Sequence, residues 1–290
     1  MLDSTQRATA AELLWAAERD LAPVSPLTET FPGIDVVDAY EIQLTNIRRK
    51  IAAGARVRGH KVGLSSPVMQ QMMGVDEPDY GHLLDAMVLT QNVPIPAAGY
   101  CYPRIEVEIG YVLGSALPGA GCTEADVLAA TAYIVPTFEL IDSRITDWRI
   151  KLADTIADNA SSAGVILGAD RKTPAELAAA GVDLADIEAV LYAGGSADPD
   201  GTASPGGSAD PGGPSHAAGT EIARGNTSAV LGNPTACVAW LARKVADFGV
   251  KLEAGHLILP GSCTRAVDAL PGSVFRAEFA GLGTVTASFD

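Results

Sequence analysis

The stretch Arg104-Ile105-Glu106-Val107-Glu108-Ile109-Gly110-Tyr111-Val112-Leu113 decides the fold class. Ile105, Val107, Ile109, Tyr111 and Leu113 recur at every second residue, so the segment reads as a strand with one continuous apolar face. The same period puts Glu106 and Glu108 on the opposite face, with Cα atoms roughly 7 Å apart. Both carboxylates can then reach one ion. A solvated strand face carries the same pattern, and from E-x-E alone it is the more economical reading.

A second apolar run, Val135-Pro136-Thr137-Phe138-Glu139-Leu140-Ile141, shifts the balance. A carboxylate in such a strand is costly unless a cation meets it. A metal shared by Glu106, Glu108 and Glu139 is one solution; an ion pair with Arg144 or Arg104 is the other. Three carboxylates and no histidine suit a hard, oxygen-seeking ion, Mg2+ or Mn2+ before Zn2+. Pro136 places this strand at an edge or at a bulge.

Outward from these strands the chain divides. Residues 1–56 read as a helical region: Thr9-Ala10-Ala11-Glu12 has capping-box spacing. A second helix starts near Asp35, with Val36, Tyr40, Leu44, Ile47 and Ile51 as its apolar stripe. Residues 57–290 read as a β-rich catalytic domain with inserted helices near 123–132, 173–181 and 233–248. This is an α+β arrangement, since strict βαβ alternation is absent. Residues 194–219, GGSADPDGTASPGGSADPGGPSHAAG, have almost no apolar content and read as a flexible hairpin loop between strands near Val190 and Ile222. A true linker is the alternative.

Acidic residues outnumber basic ones by 35 to 20, a formal charge of −15, and no basic patch is segregated to receive nucleic acid. No apolar run approaches the roughly 20 residues that span a bilayer. The N-terminus lacks the features of a signal peptide, and Cys101, Cys122, Cys237 and Cys263 form no C-x-x-C pair, so a reducing, cytoplasmic location is expected.

Four further residues are candidates. Lys61, in Gly59-His60-Lys61-Val62-Gly63, lies either in an apolar strand that would lower its pKa or on an exposed edge. Asp79 follows Asp76-Glu77-Pro78 in what reads as an acidic turn. Ser161 belongs to Asp154–Ser162, either a cap-and-turn segment or a substrate-binding loop. Arg265, in Gly261-Ser262-Cys263-Thr264-Arg265, would meet a substrate carboxylate or a structural partner. No Walker loop, dinucleotide fingerprint or G-x-S-x-G occurs.

Seven co-linear segments, GHKVGLSS, EPDYGHLLDAM, PRIEVEIG, FELIDSRITDW, DTIADNASSAGVILG, VAWLARKVADFG and LPGSCTRA, resemble the 2-keto-4-pentenoate hydratases of the fumarylacetoacetate hydrolase superfamily. The likeness runs from about Ile34 to Phe289, the low-complexity segment excepted. It is strongest to the hydroxypentadienoate and hydroxyhexadienoate hydratases of meta-cleavage pathways for aromatic or steroid rings. The resemblance implies a mixed β-roll, a homo-oligomer and a possible pathway aldolase or decarboxylase partner. It implies Glu106, Glu108 and Glu139 as metal ligands, Lys61 and Asp79 as catalytic groups, and Ser161 in the site. Arg265 lies in a segment that also resembles hydratases of a dicarboxylate.

The implied reaction starts from a 2-hydroxy-2,4-dienoate, moves a proton to C5 and adds water at C4 to give a 4-hydroxy-2-oxo acid. Alternatives that share the three glutamates are a 2-oxo-3-hexenedioate (4-oxalocrotonate) decarboxylase and a 2-oxohept-4-ene-1,7-dioate hydratase. An acylpyruvate hydrolase and a non-catalytic assembly partner also remain open, because fold kinship alone does not fix the reaction.

Overall fold

The computed structural model describes residues 1–194 and 219–290. The expected flexible loop falls almost wholly at 195–218, outside the described residues. On either side of it, β7 (Glu188–Ala193) and β8 (Thr220–Asn226) pair antiparallel.

Three helices lead the chain: α1 (Ser4–Asp20), α2 (Leu27–Thr30) and α3 (Val36–Ala52). The capping box of α1 is Asp3 with Gln6, one turn and a half before the expected Thr9, whose hydroxyl instead donates to the Thr5 carbonyl inside the helix. Asp35 caps α3 as read from sequence. The buried face of α3 differs from the expected stripe: Ala39, Tyr40, Ile42, Gln43 and Ile47 are buried, while Ile51 is 44% exposed. Burying a side chain as large as Tyr40 or Ile42 contributes roughly 1.5–3 kcal/mol. The buried Gln43 is fully used: its Nε2 donates to the carbonyls of Tyr80 and Ile156, and its Oε1 lies 3.0 Å from His82 Nδ1.

The body holds β1 (Val57–Gly63), α4 (Pro67–Met73), β2 (Asp79–Leu84), β3 (Val88–Leu89), β4 (Arg104–Leu113), α5 (Glu124–Ala130) and β5 (Thr131–Ile141). It continues with α6 (Leu152–Ala157), β6 (Ser162–Leu167), α7 (Pro174–Ala179) and, beyond β7 and β8, α8 (Pro234–Ala246). The last strands are β9 (Leu257–Leu259), β10 (Val267–Asp268), β11 (Val274–Phe279) and β12 (Gly283–Ser288). Among the described residues, an eight-stranded sheet runs β2-β1-β9-β4-β5-β6-β3, with β10 on β4, and a four-stranded sheet runs β12-β11-β7-β8. Helices from the N-terminal region and strands from the body share one apolar core that includes Leu14, Tyr40, Ile105 and Ile258. The architecture is α+β.

Three local expectations are corrected. Pro136 lies in an interior strand, flanked by β4 and β6; pairing with β4 continues unshifted through Ile109–Pro136, and on the β6 side, one residue beyond the last register pair at Thr137, its carbonyl still accepts from the Gly168 N–H at 2.8 Å. The acidic turn is shorter than expected, because Asp79 already opens β2. Asp154–Ser162 is neither cap nor loop throughout: its first residues belong to α6. No helix among the described residues is long and apolar enough to cross a membrane.

Candidate metal centre and active site

The antiparallel register of β4 and β5 sets Glu106 directly opposite Glu139, with Glu108 two residues along on the same face. Their apolar neighbours Ile105, Val107 and Ile109 are fully buried on the other face. One carboxylate oxygen from each glutamate lies within 4.8 Å of the other two. Glu108 and Glu139 are buried and Glu106 is half-buried.

Among the described residues, the hydrogen bonding of this trio is incomplete. The Gly261 N–H donates to Glu108 Oε2 at 2.8 Å, but Glu108 Oε1 accepts nothing. Gly261 has φ +127° and no room for a side chain, since a Cβ would stand 1.7 Å from Ser65 Oγ. Glu139 Oε1 forms an ion pair at 3.3 Å with Lys61 Nζ, and its Oε2 accepts no hydrogen bond. Burial pushes the Glu139 carboxyl up to about 7, against the pull of Lys61. Burial, then Glu139 and Glu106, drive Glu108 well above the carboxylate range, and burial likewise raises Glu106. Such a set fits a divalent cation: oxygen donors only, converging, partly unpartnered, and destabilised by mutual repulsion.

Lys61 comes from β1, an interior strand between β2 and β9, so the expected exposed edge is ruled out. The expected fall in its pKa is also corrected. Burial pulls it down, but Glu139, Glu106, Asp79 and Glu108 outweigh burial and hold the ammonium protonated above the usual lysine range. Its Nζ also donates to the Ala160 carbonyl at 2.9 Å. Asp79, paired in register with Gly63, is buried at 1% exposure, and burial raises its carboxyl against the pull of Lys61.

A cavity of about 510 Å³ opens above this cluster and brings Lys61, Asp79, Glu106, Ser161 and Arg265 to one surface. Glu108 and Glu139 do not reach its wall. Ser161 is 3% exposed and its Oγ has no hydrogen-bond partner among the described residues. Arg265 is exposed, and among the described residues its Nη2 donates a long 3.4 Å bond to the Ile222 carbonyl. The competing partners for Glu139 are engaged elsewhere: Arg144 with Asp158 and Arg104 with Asp268.

Sequence reasoning misses Trp148, which also lines the cavity, holds Thr155 only within the Asp154–Ser162 segment, and treats Arg104 only as a possible partner. Arg104 lies over the Trp148 ring at 4.6 Å while it bonds Asp268. Trp148 has φ +55°, which no local pattern announces.

The family model for the fumarylacetoacetate hydrolase C-terminal region matches residues 71–290. The chain belongs to this family. It is 39% identical over 285 residues to a 2-keto-4-pentenoate hydratase of Paraburkholderia xenovorans (strain LB400), covering 98% of this chain and 95% of that one. To a 2-oxo-hept-4-ene-1,7-dioate hydratase of Escherichia coli the identity is 38%, covering all of both chains. Among solved structures, the 4-oxalocrotonate decarboxylase of Pseudomonas putida G7, complexed with magnesium and adipate, superposes with a TM-score of 0.86 at 32% identity, over 100% of this chain and 99% of that one.

Proposed function

We propose that this chain is a divalent-metal-dependent hydro-lyase that hydrates a 2-hydroxy-2,4-dienoate to a 4-hydroxy-2-oxo acid. The observation that carries the proposal is the convergence of Glu106, Glu108 and Glu139, short of hydrogen bonds, beside Lys61 under a cavity of substrate size. The three glutamates are the assigned ligands for Mg2+ or Mn2+, which when bound supplies positive charge against the enolate that develops in proton transfer. Lys61, whose ammonium meets the Ala160 carbonyl and Glu139, steadies the developing oxyanion with the one N–H that these two leave free. Asp79, its pKa raised by burial, is assigned to carry the proton to C5. Ser161 Oγ, buried and unpartnered, donates to the substrate carboxylate. Water then adds across the C3–C4 double bond, its oxygen to C4 and a proton to C3, giving the 4-hydroxy-2-oxo acid.

Arg265 is the assigned distal contact. A hydroxypentadienoate or hydroxyhexadienoate leaves it unused, whereas a seven-carbon dioate would engage it. Arg265→Leu is therefore expected to cut dioate hydration by about tenfold or more while changing pentadienoate hydration little; equal kcat/KM losses on both would remove Arg265 from substrate recognition. The runner-up reading, a 2-oxo-3-hexenedioate decarboxylase, is supported by the 0.86 TM-score to an enzyme of that name. Hydration is preferred because the relatives at 38–39% identity are hydratases. Cytoplasmic homo-oligomers, with a pathway aldolase or decarboxylase as a possible partner, complete the proposal; sedimentation of the purified chain tests its oligomeric part.

The deciding experiment follows the loss of dienol absorbance from fresh 2-hydroxypenta-2,4-dienoate by metal-stripped protein, with and without Mg2+ or Mn2+, with product analysis. Metal-dependent appearance of the 4-hydroxy-2-oxo acid supports the hydratase. Release of CO₂ from 2-oxo-3-hexenedioate without hydration of any dienoate would replace it with the decarboxylase.

A further inference from the structure

Asn159 touches neither the cavity nor the three glutamates, yet the segment it opens supplies two groups of the site. Ala160 gives the carbonyl that accepts from Lys61 Nζ, and Ser161 gives the hydroxyl that lines the cavity. Asn159, Ala160 and Ser161 have φ of 55°, 51° and 56°, three successive non-glycine residues in the left-handed region. Asparagine tolerates that region, but alanine and serine do not favour it, so the run persists only where its surroundings impose it.

One flank of the run is held by the end of β5 and the residues just beyond it. Asp142 N–H donates to the Ser161 carbonyl at 2.8 Å, and Arg144 donates to the carbonyls of Asp158 and Ser162. The flank against β2 is held by the Asn159 side chain. Its Oδ1 accepts from His82 N–H at 2.8 Å and its Nδ2 donates to the His82 carbonyl at 2.9 Å. The amide thus mimics a backbone partner for the strand, with one acceptor and one donor at the required length. The turn packs directly on Gly81, where a Cβ would stand 2.3 Å from the Asn159 carbonyl oxygen and 2.8 Å from Ser162 Oγ. Gly81 is also the register partner of Lys61 across β1 and β2. The clamp and the lysine are therefore fixed to the same point of the sheet.

We propose that Asn159 is a positioning residue: its amide clamps the turn to the His82 backbone, which sets the Ala160 carbonyl on the Lys61 ammonium and aims Ser161 Oγ into the cavity. The role needs both amide functions. Aspartate keeps the acceptor and loses the donor; alanine loses both. The inference rests on the hydratase reading for its substrate, and on geometry alone for the clamp.

The test compares wild type, Asn159→Asp and Asn159→Ala for kcat and KM on the dienoate, Mn2+ affinity, thermal unfolding and crystal structure. Asn159→Ala is expected to lower kcat by about tenfold or more and to raise KM as Ser161 loses its aim at the substrate carboxylate, with Mn2+ affinity held within about threefold, because displacement of a contact by an ångström suffices for such losses. Asn159→Asp should fall between the two, and it keeps the comparison open if the alanine variant folds poorly. The crystal structure of Asn159→Ala should show the Ala160 oxygen out of hydrogen-bond reach of Lys61 Nζ. Unchanged Ala160–Lys61 contact, or kcat within about twofold of wild type, would overturn the proposal. So would a kcat loss matched by equal losses in Mn2+ affinity and unfolding midpoint, which would make Asn159 general scaffolding. If wild type itself hydrates no dienoate, the hydratase reading fails, while the crystallographic comparison still decides the clamp.

Discussion

Two of the buried charge clusters among the described residues are built from the same ingredients to opposite ends. In one, Arg144 meets Asp158: Nε and the backbone N–H of Arg144 donate to the two carboxylate oxygens, and its Nη1 and Nη2 donate to the carbonyls of Ser162 and Asp158. Burial still raises the Asp158 carboxyl to about 6, but every oxygen of the pair has a donor. In the other, the single ammonium of Lys61 faces Glu139, Glu106, Asp79 and Glu108, and several of their oxygens accept nothing. Burial alone does not separate a structural ion pair from a functional one. The count of donors against acceptors does, and on the proposed function an added cation closes the second cluster.

Removing one ligand from the open cluster sharpens this contrast most. Glu108→Gln is expected to lower metal-dependent turnover by at least about a hundredfold, through loss of charge stabilisation at the reacting oxygens. It should leave the metal-free protein as stable as wild type or more so, because one member of a repelling buried trio becomes neutral. Normal turnover in this variant would take Glu108 out of the ligand set. The closed cluster should behave the other way. Arg144→Met strands Asp158 and is expected to cost about 3–5 kcal/mol in urea unfolding; a loss below about 1 kcal/mol would break the comparison.

A third buried group responds by shedding its charge. His60 is 1% exposed, both ring nitrogens lack hydrogen-bond partners among the described residues, and His82, His256 and Tyr80 surround it with centroids at 4.7, 6.1 and 6.4 Å. Burial, with His82 and His256, holds its pKa well below the usual histidine range, and burial lowers His82 to about 4. A depressed histidine contributes stability above its unfolded pKa that is lost as pH falls. The raised carboxyls of Asp158 and Glu139 act in the opposite sense, gaining as pH falls from about 7. The effect of His60 is therefore read as a difference. Between about pH 6.5 and 4, wild type should lose stability more steeply than His60→Leu, by up to about 1.4 kcal/mol per pH unit. Parallel urea profiles would show that His60 takes up no proton on unfolding.

The strand carrying Glu106 and Glu108 is legible in the sequence because its period is strict and its apolar face is uninterrupted. The strand of Glu139 is legible in position, but Pro136 misleads on its place in the sheet; whether a proline N–H is missed depends on where the neighbouring strand stops, which no local pattern encodes. Asp79 is obscured by Glu77-Pro78, which resemble a turn up to the residue where β2 begins. The pKa of Lys61 takes the wrong sign from sequence, since burial is visible in an apolar segment while four converging carboxylates are not. Asn159 is invisible for a related reason: its clamp joins it to His82, 77 residues away, and only the fold brings those backbones together.

Mn2+ soaked into crystals of the protein, located by anomalous scattering, tests the central claim most directly. The expected result is a single strong site bounded by carboxylate oxygens of Glu106, Glu108 and Glu139, absent from Glu108→Gln crystals. Mn2+-dependent turnover in solution with no anomalous peak between these three residues would contradict it.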